Sequence, residues 1–331
     1  MSDTLLGLPL PDAELDAALS AGMAAVEEGL RIAVASDDQF VADASRYLVE
    51  AGGKRFRPLL VLLSAQFGDP DAWGVVPAGV VVELTHLATL YHDDVMDEAP
   101  LRRGAQSANA RWDNTIAILT GDFLFARSSR ILADLGPEAV RIQAHTFERL
   151  CTGQIRETVG PRPGQDPVEH HLEVVADKTG SLIAASGRYG ALMSGAAPEV
   201  VEIMTQFGER IGVAFQLADD LVDITSESMQ SGKTPGTDLR EGVPTLAGLL
   251  ALTSTDPADA RLQSLLGRPL PDDDEHAEAL ALLRAHPAIA EARAQAHLWS
   301  ERARSCLEPL PAGSPREVLE LLCDYVVSRT G

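Results

Sequence analysis

Two short stretches of the chain concentrate the side chains able to do chemistry. In His92-Asp93-Asp94-Val95-Met96-Asp97-Glu98-Ala99-Pro100-Leu101-Arg102-Arg103-Gly104, three aspartates are followed by two arginines. A helix through this stretch stacks Asp93 on Asp97 at i and i+4, with Asp94 three residues from Asp97. Like charges so placed repel, by about 0.2–0.5 kcal/mol per exposed pair, so a bound cation explains the cluster better than a solvated face does. Hard oxygen donors without a neighbouring His or Cys pair point to Mg2+, which takes few protein carboxylates and completes its shell with water and phosphate. Arg102 and Arg103 then suit that phosphate, because a planar guanidinium meets two oxygens at once. Phe215-Gln216-Leu217-Ala218-Asp219-Asp220-Leu221-Val222-Asp223 repeats the acidic spacing. One such pattern is common on acidic helices. Two, each on an apolar helix and followed by basic residues, point to a shared metal site built from Asp93, Asp94, Asp97, Asp219, Asp220 and Asp223.

Other cations would serve the same anion. Gly52-Gly53-Lys54-Arg55-Phe56-Arg57-Pro58 is a glycine loop running into a helix start, and three cations beside helix N-terminal donors predict an anion site. His86 lies seven residues before Asp93, roughly on its face, and is a candidate donor to substrate. Lys178, in Lys178-Thr179-Gly180-Ser181, sits in a small, apolar helix pattern where it costs desolvation unless it meets an anion; Gly180 would let the helix kink beside it. Ser231-Gly232-Lys233-Thr234-Pro235-Gly236 reads as a flexible loop whose Lys233 closes on phosphate.

Long helices must hold these groups. Hydrophobic residues make up 45% of the chain but aromatics only 5%, with Ala and Leu dominant, which is the composition of helices packed on helices. No sustained period-2 alternation suggests strands. Helices are expected over Pro11 to about Ala35, Asp38 to Glu50, Val80 to Asp97, Ala105 to Leu135, Pro137 to Val159, Val168 to Ala197 and Glu199 to Thr225. Further Ala/Leu/Arg helices follow from Pro244, with Asp272-Asp273-Asp274 as a solvated helix start. His170-His171 reads as structural, at a loop or helix start. Nothing in 331 residues resembles a linker, so one domain spanning 1–331 is expected, and the duplicated aspartate helices suggest a pseudo-symmetric bundle with a central cavity. The net charge of −22 argues against nucleic acid and against docking on anionic membranes. Cys151, Cys306 and Cys323 form neither a metal spacing nor an even disulfide set and read as buried thiols in a reducing cytoplasm. No signal peptide or membrane span is expected, since the Val75 to Tyr91 run is interrupted by Pro77, Glu83 and His86.

Opposed carboxylate clusters with Mg2+ grip a diphosphate and help it leave, and an allylic skeleton would depart as a carbocation. There is no triad, P-loop or dinucleotide fingerprint to suggest other chemistry. With Gly53-Lys54-Arg55, Arg57-Pro58, Lys178-Thr179, Gln216 and Gly236-Thr237-Asp238-Leu239 added in order, the chain from about residue 45 to 330 resembles the trans-isoprenyl diphosphate synthases. The resemblance implies an all-α isoprenoid-synthase bundle of long antiparallel helices around a central cavity, usually a homodimer, condensing an allylic prenyl diphosphate head-to-tail with isopentenyl diphosphate. It also implies that Asp93, Asp97 and Asp219 bind up to three Mg2+, with Asp94, Asp220 and Asp223 supporting. Arg102, Lys178 and Lys233 would hold the allylic diphosphate, while Lys54, Arg57, His86 and Arg103 would hold isopentenyl diphosphate. Thr179 and Gln216 would face the allylic cation, and the departing pyrophosphate would take the final proton.

Product length follows from helix geometry. One turn, about 5.4 Å, is comparable to an extended isoprene unit, so the residues four and five before Asp93, Thr89 and Ala88, stand at the first constriction. Short-chain members of the family place a bulky aromatic there or lengthen the aspartate motif, and this sequence has neither. Thr85 and Leu84, then Val81, come next and are moderate in size. Phe123 and Phe125 are candidates for a floor. A medium or long product of roughly C30 to C50 is expected, with geranylgeranyl or farnesyl diphosphate synthesis as the alternative. A class I terpene cyclase is the rival within the fold, but both aspartate clusters and the Lys54 loop are present. A catalytically silent synthase subunit would be expected to have lost one of those clusters.

Overall fold

A computed structural model of the chain describes residues 12–226 and 235–328. The expectation of an all-α protein is met: among the described residues the only strands are Leu101–Arg102 (β1) and Ala105–Gln106 (β2). The chain divides into two compact units. One takes the described chain as far as Phe147, with Leu182–Gly208 and Pro309–Leu319; the other takes Glu148–Ser181, Glu209–Glu308 and the described residues from Glu320 onward.

The first unit opens with helices Ala13–Ala33 (α1), Gln39–Glu50 (α2), Phe56–Ala65 (α3) and Val75–Met96 (α4). Asp12 and Asp38 cap α1 and α2 by accepting from Glu14 N and Val41 N, satisfying donors that the helices leave over. Helix α4 packs against α1, α3 and Asn114–Leu135 (α6), and burial on several sides explains its nearly continuous apolar run. Its Pro77 falls in the first turn, where no helical N–H is lost. Val26, Leu30, Leu48, Leu84, Leu87, Tyr91, Ala117 and Leu124 form the core, with the Tyr91 hydroxyl donating to Ala44 O at 2.6 Å.

The expectation of one helix from Ala105 to Leu135 was wrong. The segment holds β2, then the single turn Ala108–Arg111 (α5), then α6 beginning at Asn114. Arg103 and Gly104 take φ of 53° and 78°, the positive values required of a two-residue turn between antiparallel strands, and Asp113 caps α6 by accepting from Ile116 N. Helix Pro137–Val159 (α7) has the expected bounds.

In the second unit, Pro167–Val175 (α8) is followed by a π-helical turn at Ala176–Gly180, so the kink expected near Gly180 is an extra residue in the helix; the next helix, Ser181–Met193 (α9), belongs from Leu182 onward to the first unit. Helix Pro198–Thr225 (α10) carries the second aspartate cluster. Its residues Val213, Leu217, Leu221 and Ile224 pack with the helices Thr237–Glu241 (α11), Leu246–Leu252 (α12), Asp273–Ala285 (α14) and Ala288–Cys306 (α15). Asp272 caps α14, as its acidic run suggests. His170 and His171 are buried within α8. The short helix Ala260–Leu265 (α13) precedes α14, and Ser314–Ser328 (α16) closes the described chain. Cys323 is buried but Cys151 is exposed, against expectation, and none of the three cysteines forms a disulfide. No helix among the described residues is long and apolar enough to cross a membrane.

Candidate active site

The first aspartate cluster lies at the C-terminal end of α4. Asp93 is half-buried, Asp94 fully buried, and Asp97 exposed as the helix cap, with Asp97 N donating to Asp93 O at 2.8 Å. The β1–β2 hairpin swings Arg102 back so that its Nε donates to Asp94 Oδ1 at 2.6 Å. Asp94 Oδ2 is buried without a hydrogen-bond partner among the described residues. Burial raises Asp94 above its ordinary carboxyl value, Asp97 adds to the rise, and Arg102 opposes it.

A cluster of cationic side chains gathers about two turns lower on α4. Three cations before α3 were expected to form one anion site, but they divide. Arg55 is buried in a left-handed conformation, φ 48°, and donates to Glu27 Oε1 at 2.6 Å, Glu83 Oε1 at 2.8 Å and Val49 O at 2.8 Å. It is a structural strut rather than an anion ligand, because two carboxylates already neutralise it. Lys54 is exposed. Arg57 is half-buried, yet its Nε is shielded from solvent and makes no hydrogen bond among the described residues. Burial lowers Arg57 to about 10, Arg103 adding to the fall and Glu83 opposing it. Arg103 Nη1 donates to Leu48 O at 2.9 Å and also to Gly52 O, tying the hairpin to the glycine loop. Burial, then the charges of Arg57, Arg103, Arg102 and Arg55, pushes His86 well below the ordinary imidazole value and leaves it neutral at pH 7. The cluster thus holds an excess of positive charge, with Glu83 as its buried counterweight.

Of the expected chain-length positions, Leu84 and Ala88 are fully buried in the core against α6. Thr85 Oγ1 accepts from Gln143 Nε2 at 2.9 Å and lies 3.3 Å from Ser128 Oγ, while Thr89 is the least buried of the four. Phe125 packs on Phe147 at 4.5 Å between centroids and on His92 at 5.7 Å, and Arg127 lies over Phe123 at 4.7 Å.

In the second unit the structure brings Thr179, Gln216 and Asp220 into one chain of hydrogen bonds. Thr179 Oγ1 donates to Gln216 Oε1 at 2.9 Å, and Gln216 Nε2 donates to Asp220 Oδ1 at 2.8 Å. Burial raises Asp220 well above the ordinary carboxyl value, with the charge of Asp238 the next largest cause. His171 Nε2 stands 4.0 Å from Asp220 Oδ2, and burial holds this imidazole down at about 4. Asp219 is half-buried on the same helix. Asp223 receives Thr237 N at 3.3 Å and Asp238 N at 3.2 Å, so it orders the start of α11. Lys178 Nζ donates to Glu157 Oε2 at 2.5 Å. Lys233 lies outside the described residues. Sequence reasoning gave no role to Glu83, Glu157 or Asp238; an acidic residue in an apolar helix run, as at Glu83, was the available signal.

Among the described residues no three His, Cys, Asp or Glu side chains cluster closely enough to hold a metal alone. The donors are nonetheless carboxylate oxygens, one of them the unpartnered Asp94 Oδ2, and that chemistry fits a hard divalent cation that draws the rest of its shell from diphosphate and water.

Residues 38–283 match the family model for polyprenyl synthetases. The chain belongs to the polyprenyl synthetase family. It is therefore an enzyme of the prenyltransferase class. This polyprenyl synthetase is 53% identical over 326 residues to the nonaprenyl diphosphate synthase of Mycobacterium tuberculosis, covering 98% of this chain and 97% of that one. It resembles the crystal structure of geranylgeranyl pyrophosphate synthase from Corynebacterium glutamicum complexed with calcium and isoprenyl diphosphate, with TM-score 0.88 and 45% identity over 98% of this chain and 100% of that chain. A decaprenyl diphosphate synthase from Rhodobacter capsulatus also superposes, with TM-score 0.87 and 33% identity over 96% and 99% of the two chains.

Proposed function

We propose that this polyprenyl synthetase acts as one catalytic domain that condenses an allylic prenyl diphosphate head-to-tail with isopentenyl diphosphate, giving an all-trans product of roughly C30 to C50. The observation that carries the reading is the cationic cluster around Arg57, whose buried Nε, without a hydrogen-bond partner among the described residues and beside Arg103 and a neutral His86, calls for an anion. The calcium and isoprenyl diphosphate named with the Corynebacterium structure support a divalent metal and a diphosphate substrate. Mg2+, up to three ions held by Asp93, Asp97 and Asp219 with Asp94, Asp220 and Asp223 behind them, would neutralise charge on the departing diphosphate.

The chain's own residues do the rest. Arg102, Lys178 and Lys233 hold the allylic diphosphate. Lys54, Arg57, His86 and Arg103 hold isopentenyl diphosphate, with neutral His86 able both to donate and to accept. Thr179 and Gln216 turn oxygen dipoles toward the allylic cation, and the hydrogen bond to Asp220 fixes which end of the Gln216 amide faces Thr179. The pyrophosphate, once released from carbon, is the base for the last proton. The identity to the nonaprenyl synthase and the small residues Ala88 and Thr89, with Thr85 and Leu84 below them, support a long product. The exposed apolar Ile118 and Leu119 on α6 support a homodimer. The unbridged cysteines fit a reducing cytoplasm.

Incubation with Mg2+, farnesyl diphosphate and labelled isopentenyl diphosphate, followed by separation of the dephosphorylated prenols, tests this reading. A ladder ending at roughly C30 to C50 is expected. A stop at geranylgeranyl length would keep the chemistry and overturn the open tube. Absence of any elongation would overturn the condensation itself.

A further inference from the structure

The π-turn Ala176–Gly180 carries Lys178 and Thr179, and it is gripped by one face of a neighbouring helix. The Ser181 N–H reaches back five residues to Ala176 O, so this turn holds one residue more than an α-turn. Relaxing it into regular helix would rotate the residues on one side by about 100° and carry Lys178 away from its direction. The bonds around the turn oppose that relaxation.

Arg149, Gly153 and Arg156 lie at i, i+4 and i+7 on α7, a single stripe. Arg149 Nε donates to Asp177 Oδ1 at 2.8 Å, and its Nη2 donates to Ala176 O at 3.3 Å and to Glu209 Oε1 at 2.6 Å. Arg156 Nη1 takes the other oxygen of Asp177 at 3.0 Å. Between the two arginines, Gly153 lets the helix press on the turn: a Cβ there would stand 2.8 Å from Lys178 N and 3.0 Å from Asp177 Cβ. One residue on, Glu157 takes Lys178 Nζ. The Arg149–Asp177 pair is partly buried, its side chains 24% and 15% exposed, so desolvation offsets much of its attraction and what the pair chiefly fixes is direction.

We propose that Arg149, acting through Asp177 with Gly153 and Arg156, is a positioning residue that keeps the π-turn in register and thereby aims Lys178 at the reacting diphosphate and Thr179 at the allylic cation. The proposal rests on the role given above to Lys178. Arg149 itself touches no reacting atom.

The test is steady-state kinetics of the full chain with each diphosphate varied in turn, for Arg149→Met, Arg149→Lys, Lys178→Ala and the double variant Arg149→Met/Lys178→Ala. Arg149→Met is expected to lower kcat by about tenfold to a hundredfold and to raise KM for the allylic diphosphate, with KM for isopentenyl diphosphate within about twofold of the parent. Arg149→Lys should recover part of the loss. The double variant should be no worse than Lys178→Ala by more than about twofold, because both changes remove one function. Multiplying losses in the double variant, or equal rises in both KM values, would overturn the positioning role. Full turnover in Lys178→Ala would instead overturn the reading of Lys178 on which it stands.

Discussion

His86 is a histidine whose neighbours have settled its charge. Burial and the arginines at 57, 103, 102 and 55 hold its folded-state pKa well below the ordinary 6.5. The unfolded chain therefore binds a proton that the folded chain refuses, and stability present above pH 6.5 is lost as the pH falls below it. His86→Gln removes this titration while keeping a donor and an acceptor. The fall in Tm between pH 7.5 and 5.5, followed by calorimetry, should be smaller in the variant than in the parent. An unchanged or steeper fall would mean that the cluster does not hold the imidazole neutral. Arg55 teaches the complementary lesson. Its neighbours in sequence, Lys54 and Arg57, suggested a third anion ligand, but Glu27 and Glu83 come from other helices and no local pattern pairs them with Arg55.

Among the elements, the long helices were legible because their apolar period and Asp caps are local. Helices α7 and α10 begin and end within a residue of expectation. The hairpin was missed: Arg103-Gly104 lacks the Asn or Asp usual at such turns, and carbonyls of residues 48 and 52 hold Arg103 at positive φ. Helix packing makes its own demand at Gly190 on α9, where a Cβ would lie 2.1 Å from Val61 O and 2.8 Å from Ser64 Cβ of α3. Backbone cannot yield as a side-chain tip can, so Gly190→Ala should cost about 2–3 kcal/mol in urea unfolding. A loss below about 0.5 kcal/mol, the range of surface changes, would show that the two helices do not meet so closely.

Across the whole molecule, 49 acidic residues face 27 basic ones. Part of the surplus serves helix starts, where Asp12, Asp38, Asp113, Asp166, Asp256 and Asp272 each accept from backbone N–H groups. Asp94 and Asp220 already have Arg102 and Gln216 as partners, and the apolar cores owe nothing to a metal. Removing divalent cations with excess EDTA should therefore abolish turnover while leaving the far-ultraviolet circular dichroism unchanged, and added Mg2+ should restore activity. Turnover that survives EDTA would refute the metal role. Loss of helicity would show that the ions hold the fold as well.

The sequence by itself determined the helical class, most helix bounds, the two aspartate clusters and the family, because periodicity, caps and short motifs are properties of neighbouring residues. Tertiary structure alone decided which cations stay available to an anion and which are consumed as struts. It separated Arg57 from Arg55, gave Asp223 to the start of α11, bound Lys178 to Glu157 and set Arg149 beneath the π-turn. Each of those outcomes depends on a charge brought near by folding. The energy of an ion pair is set by distance and burial, which spacing along the chain does not encode.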